Sequence, residues 1–321
     1  MLHIATFLGI DSGRAVGQAV VDGIVAGSAY GLLGVGFALI LGVTGRFHFA
    51  YGIIYAFTAY IAAVAGDDWG LPLIPAVLVG LCTATVLGTL TEAIVYRPLA
   101  DRAGDNALLG VFVASLGLVI AGENAIRLIW GNDTRPLPGF PDHAYTVAQL
   151  NITLIQIVQV AAAILLVVAT ALVLSQTIAG QQIRAVRGNA EMAQAVGVAV
   201  RRVFALVFAI GTLLAGVAAV FAGMRFAVTP DMGNTPVFYG FVVAFVAGTQ
   251  RSPLVIGAVG LLIGVIESLS TLWVSDNLSA LTVFGLLFVV LSVRSVPNGV
   301  RQLSGSLSPT HRTRTRSARA A

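Results

Sequence analysis

The chain has 321 residues, 57% of them hydrophobic and 10% charged, with 18 basic against 14 acidic residues and a mean hydropathy of +0.92. Soluble domains carry about 25% charged residues, so this composition excludes an ordinary soluble fold. The basic excess is then a matter of membrane topology, not nucleic-acid binding. Every basic residue is arginine, which excludes P-loop and Schiff-base lysine chemistry, and the lone Cys82 excludes a disulfide framework and a thiolate cluster.

The residues before Gly17 lack the charged segment and cleavage site of a signal peptide. A first apolar span is predicted over residues 17–43, with Gly23, Gly27 and Gly31 at four-residue spacing. Glycines on one helix face let another backbone approach closely. The stretch from Thr44 to Gly52, which includes Arg46, His48 and Tyr51, interrupts the apolar run. A second span over 53–65 is short of the about 20 residues of a crossing, so it should begin inside that interruption. A third span over 72–96 is expected to stop at Arg97-Pro98, because proline ends a helix. In the fourth, over 106–130, Glu123 and Arg127 stand four residues apart, the spacing of a structural ion pair.

A proline-bearing connection over 131–151 leads to a fifth span over 152–178. The next stretch concentrates Arg184, Arg187, Arg201 and Arg202 between two apolar segments. Asn189 is placed to cap a short helix over 190–196, and Gly197 to end it. Such a helix is too short to stand alone in water, which points either to an element docked on a partner or to a solvated loop that fixes topology. Met192, Ala195 and Val196 share one of its faces, beside Glu191. A sixth span follows over 203–226. An apolar run over 237–247 breaks at Gly248, and the chain re-enters over 254–273 with Gly260, Gly264 and an embedded acid, Glu267. An intramembrane carboxylate marks a substrate path by default, although bonding to glycine-rich backbone would also account for it. The last span is expected over 278–293.

The expected fold is all-α: a polytopic transmembrane helical bundle of about eight to nine segments, including broken or re-entrant ones. A segment over 1–16 precedes a membrane domain over 17–300, and a basic tail over 301–321 reads as disordered. Most arginines fall on one side if the loops holding Arg97, Arg184–Arg202 and Arg251 and the tail are grouped. That side, with the C-terminus, is cytoplasmic by the positive-inside rule. His3, His48, His143 and His311 show no metal-ligand spacing, and no paired carboxylates or nucleophile with a base occur. No metal, cofactor or enzymatic activity is therefore expected. His48 and Tyr51 in the first break and Gly248 in the second join Glu267 as candidate substrate-path residues, because broken membrane segments line cavities.

Gly27-Ser28-Ala29-Tyr30-Gly31-Leu32, Phe47-His48-Phe49-Ala50-Tyr51-Gly52, Val95-Tyr96-Arg97-Pro98, the stretch 180–223 and Pro253 through Glu267 occur in one order. Together they resemble the integral-membrane permease subunits of branched-chain amino acid ABC importers, over nearly all of the chain but the tail. The resemblance implies a bacterial inner-membrane permease that pairs with a second, homologous permease subunit and with cytoplasmic ATPase subunits. A periplasmic binding protein would deliver branched-chain or other small amino acids. It also implies that Arg184, Arg187, Glu191, Met192, Ala195, Val196 and Gly197 belong to the ATPase-docking segment. Family members usually carry Asn and His where this chain has His48 and Tyr51, and a richer glycine set near Gly248. Alternatives are a urea or short-amide importer permease, a secondary transporter without an ATPase, and a structural membrane subunit.

Overall fold

The computed structural model describes residues 12–137, 143–147, 150–273, 283–289 and 292. The predicted tail, Pro138 and part of the last predicted span lie outside them. In chain order the first helices are α1 (Ser12–Thr44), α2 (Tyr51–Asp67), α3 (Leu73–Leu90), α4 (Arg97–Ala103) and α5 (Ala107–Trp130). A hairpin of β1 (Ala144–Val147) and β2 (Leu150–Thr153) precedes α6 (Leu154–Gln176), α7 (Ile178–Gly188) and α8 (Ala190–Ala195). The remainder comprises α9 (Val200–Phe226), α10 (Asn234–Ala247) and α11 (Pro253–Ser270), with residues 283–289 again helical.

Among the described residues six helical segments are long and apolar enough to cross a membrane. The chain is a multi-pass membrane protein with an all-α bundle, and the short hairpin is an addition that its apolar pattern did not announce. α1, with 33 residues, is about 50 Å long at 1.5 Å per residue. α2 and α10 have 17 and 14 residues, less than the about 30 Å of hydrocarbon requires. Both short helices are packed inside, with Tyr51, Tyr55 and Tyr60 of α2 and Val242, Val243 and Ala244 of α10 buried, and α1 and α9 contribute Leu33, Phe37, Val207 and Phe208 to the same core. α3, α5 and α6 instead expose Leu78, Ile120 and Leu165, as apolar side chains facing lipid do. Backbone that breaks off at membrane depth is kept in the protein interior, where its polar groups find partners.

The third span departs from expectation. It does not stop at Arg97-Pro98 but runs on through a π-helical turn, Thr91–Tyr96, into α4, with Pro98 in the first turn of α4. The Arg97 amide bonds the Glu92 carbonyl five residues back. That widened turn makes room for the proline ring, which in a regular helix would strike the preceding turn. The connection from α9 to α10 also exceeds a simple turn. α9 ends at Ala227, whose φ of +64° is the one positive value on a non-glycine among the described residues. Val228 then pairs with Arg135 in an antiparallel bridge, and the chain folds inward until Gly233 lies against the backbone of Gly52.

Candidate functional site

The first break is a short extended segment. Gly45, at φ +67°, turns the chain at the end of α1, and residues 45–50 fill the space below the short α2. His48 is buried, with Nδ1 2.8 Å from the Tyr96 hydroxyl, and the Tyr51 hydroxyl donates to the Gly211 carbonyl of α9 at 3.0 Å. Beside them Arg46 forms an ion pair with the fully buried Glu92, and Arg97 Nε lies 3.9 Å from the other Glu92 oxygen. These contacts fasten the break to the π-turn. Both candidate residues are buried.

Gly248, at φ +92°, caps α10 and opens the turn into α11. This turn lies at the arginine-rich end of the bundle. Arg187 of α7 donates to the Thr249 carbonyl, and Gly42 of α1 sits against the same atoms. Arg187 is half-buried, whereas Arg184 is exposed.

The short helix has the predicted caps. The Asn189 side chain accepts from the Met192 amide at 2.9 Å. Gly197 has φ +90°, and the Val198 and Gly197 amides return to the Ala193 and Gln194 carbonyls at 2.9 and 3.0 Å, a Schellman closure. Ala193 anchors it in the bundle while Met192 and Val196 stand 71% and 80% exposed. Glu191 and Ala195 are exposed with them.

The glycines meet in pairs. α1 and α11 run antiparallel, and a Cβ added at Gly23 would come within 2.6 Å of Val265 Cα, one at Gly27 within 2.7 Å of Leu261 Cα, and one at Gly31 within 3.1 Å of the Gly257 carbonyl. Gly260 and Gly264 press on the backbone of Gly31 and Gly27 in return. This contact carries α11, and with it Glu267, onto α1.

Glu267, another of the candidate path residues, lines a cavity. It has a volume of about 460 Å³ and lies at the end of the bundle opposite the arginine-rich loops, between α1, α2, α6, α9 and α11. Its charged lining is Asp22, Arg225 and Glu267, with Tyr30, Tyr55, Gln159, Thr229, Ser268 and Thr271 as neutral polar groups. The Tyr239 hydroxyl donates to Glu267 Oε1, and its ring stacks on Tyr30 with centroids 4.3 Å apart. Gln159 is held by the Val25 carbonyl at 2.9 Å and accepts from Arg225 Nη1 at 3.4 Å. Asp22 accepts from Gln18 Nε2 at 3.3 Å. None of these three charged side chains is within salt-bridge distance of another. One stretch of the wall is apolar, with Ala26, Ala29, Leu33, Ala218 and Ala222.

Residues 19–291 match the family described as branched-chain amino acid transport system, permease component. The chain belongs to that family. It is 29% identical over 299 residues to the high-affinity branched-chain amino acid transport system permease protein BraD of Pseudomonas aeruginosa, covering 88% of this chain and 94% of the relative. Identity is 28% over 298 residues to the permease protein LivH of Escherichia coli K12, at the same coverage. Among solved structures, PsaBC from Streptococcus pneumoniae in complex with Fab is similar at a TM-score of 0.46 and 16% identity, over 89% of this chain and 95% of that one.

This permease is a transport subunit and not an enzyme. Its polar cavity contains two groups that sequence reasoning passed over, Arg225 and Asp22. The available signal was a guanidinium next to the last residue of an apolar helix, in a chain with acids near the ends of two other spans.

Proposed function

We propose that this permease works in an ABC importer of the bacterial inner membrane, moving branched-chain amino acids delivered by a periplasmic binding protein. It pairs with a second homologous permease subunit, and cytoplasmic ATPase subunits dock on α8. The observation that carries the reading is α8 itself: a helix capped at both ends, anchored by Ala193, that presents Met192 and Val196 to solvent at the arginine-rich end. Apolar side chains held out on a rigid short helix match helix-in-groove recognition.

Ala195→Asp tests it. Burying an unpaired carboxylate in an apolar groove costs several kcal/mol, by about the margin that would keep a partner bound. The variant should insert normally, lose ATPase co-purification and lose substrate-stimulated ATP hydrolysis. Gln181→Asp, exposed on α7, should keep both. Full coupling in Ala195→Asp would reduce the segment to a topological anchor. The arginine distribution adds an expectation about orientation, with the α8 end in the cytoplasm. A reporter fused after Ser304 should act as cytoplasmic and one inserted near Pro138 as periplasmic; the reverse pattern at Pro138 would invert the assignment.

A further inference from the structure

The cavity that holds Asp22, Arg225 and Glu267 is not explained by packing. Charges within membrane-spanning helices are expensive unless they pair with one another or meet a polar partner. Here charges of both signs line one space without pairing. Neighbouring residues orient them toward it. Gln159, itself fixed by the Val25 carbonyl and the Ser28 hydroxyl, takes one Arg225 donor, and a guanidinium has five. Phe226 lies under the guanidinium at 4.8 Å. Tyr239 occupies one Glu267 oxygen and leaves the carboxylate further acceptor sites. A volume of about 460 Å³ falls within the roughly 300–1,000 Å³ of small-molecule sites.

We propose that this cavity is a binding subsite of the permease for the zwitterionic head of an α-amino acid, with Arg225 taking the carboxylate, Glu267 and Asp22 the ammonium, and the alanine-lined wall the aliphatic side chain. The inference rests on the amino-acid permease reading above and adds where, on this chain, the substrate is held. A guanidinium binds a carboxylate in a two-pronged, charge-assisted geometry. A carboxylate with free lone pairs accepts charge-assisted hydrogen bonds from an ammonium, which acts as a point charge. A neutral amide such as urea offers neither charge and would leave both sides of the cavity unpaired.

The test is equilibrium binding of radiolabelled L-leucine to the full-length permease in lipid nanodiscs, with leucinamide (ammonium only) and 4-methylpentanoate (carboxylate only) as competitors. Wild type should prefer leucine to either. Arg225→Gln should lower leucine affinity roughly ten- to a hundredfold, the loss of one charge-assisted contact, and leave leucinamide within about twofold. Glu267→Gln should weaken leucine and leucinamide but spare 4-methylpentanoate. Arg225→Lys, which keeps the charge and loses the fork, should fall between wild type and Arg225→Gln. A merely structural role for these side chains would weaken all three ligands together, and that result overturns the proposal. So does wild-type leucine binding no tighter than about 10 mM, or an Arg225→Gln variant that binds leucine normally. ATPase co-purification and ATP-driven leucine uptake by the complete wild-type importer report separately on the permease reading. Retained uptake with no cavity-dependent binding sinks the subsite alone, and absent uptake sinks the reading beneath it.

Discussion

Gly27→Leu should abolish recovery of folded permease, measured as monodisperse protein after detergent extraction and as uptake. The reason is geometric. A Cβ at this position would already lie 2.7 Å from Leu261 Cα and 2.8 Å from the Gly260 carbonyl, and backbone atoms cannot rotate away as side chains do. Even Gly27→Ala faces two opposed terms. Alanine gains about 1 kcal/mol of helix propensity over glycine, while overpacking in a close contact costs about 1–3 kcal/mol. Loss of stability should win, because α1 and α11 would have to separate along several turns, with no hydrophobic drive in lipid to restore them. Gly117→Leu is the control. Gly117 lies on α5 with open space around its Cβ position, so a leucine there should be tolerated. Normal yield and thermal stability in Gly27→Leu would mean that α1 and α11 do not touch as described.

The second large effect is expected at Glu92. Its carboxylate is fully buried, and the Arg46 side chain that pairs with it is only 13% exposed. Glu92→Leu leaves that guanidinium without its counter-ion, and breaking a buried pair by removing one partner costs about 3–5 kcal/mol. Arg97 is better placed to reach water, at 26% exposed, and should contribute little. Replacing both members, Arg46→Met with Glu92→Leu, should recover most of the loss, because apolar groups can stand in for a buried ion pair at little cost. Thermal unfolding of the purified single and double variants gives the coupling directly. A harmless Glu92→Leu would show that the pair does not hold the first break in place.

The apolar windows along the chain located the apolar helices to within a few residues but not α4 or α7, and Asn189 and Gly197 marked both ends of α8. Those features are local: a run of apolar side chains or a capping residue acts on its own few neighbours. What escaped was set by distant contacts. Pro98 signalled a stop, yet the π-turn that absorbs it is also held by Glu92 bonding Arg46, far away in sequence. The inward fold of residues 227–233 depends on Arg135 pairing with Val228. An apolar count cannot distinguish that path from an ordinary turn. The candidate path residues show the same division. Glu267 was recognisable as an acid in an apolar helix, but the bonds from His48 to Tyr96 and from Tyr51, the first residue of α2, to Gly211 join elements far apart in sequence. Arg225 acquires a role only because α9 ends beside α1 and α11, a proximity no window contains.

The glycine contact also constrains how the cavity can change shape. Two helices touching backbone to backbone along several turns have no layer of side chains between them to compress or slide. α1 and α11 must therefore travel as a single stiff plate, carrying Asp22 and Glu267 at an unchanging separation. Arg225 rides on a different helix. That helix is itself pressed on α1, where a Cβ at Gly36 would come within 2.7 Å of the Gly211 carbonyl, so the arginine is braced against the same plate that carries the two acids.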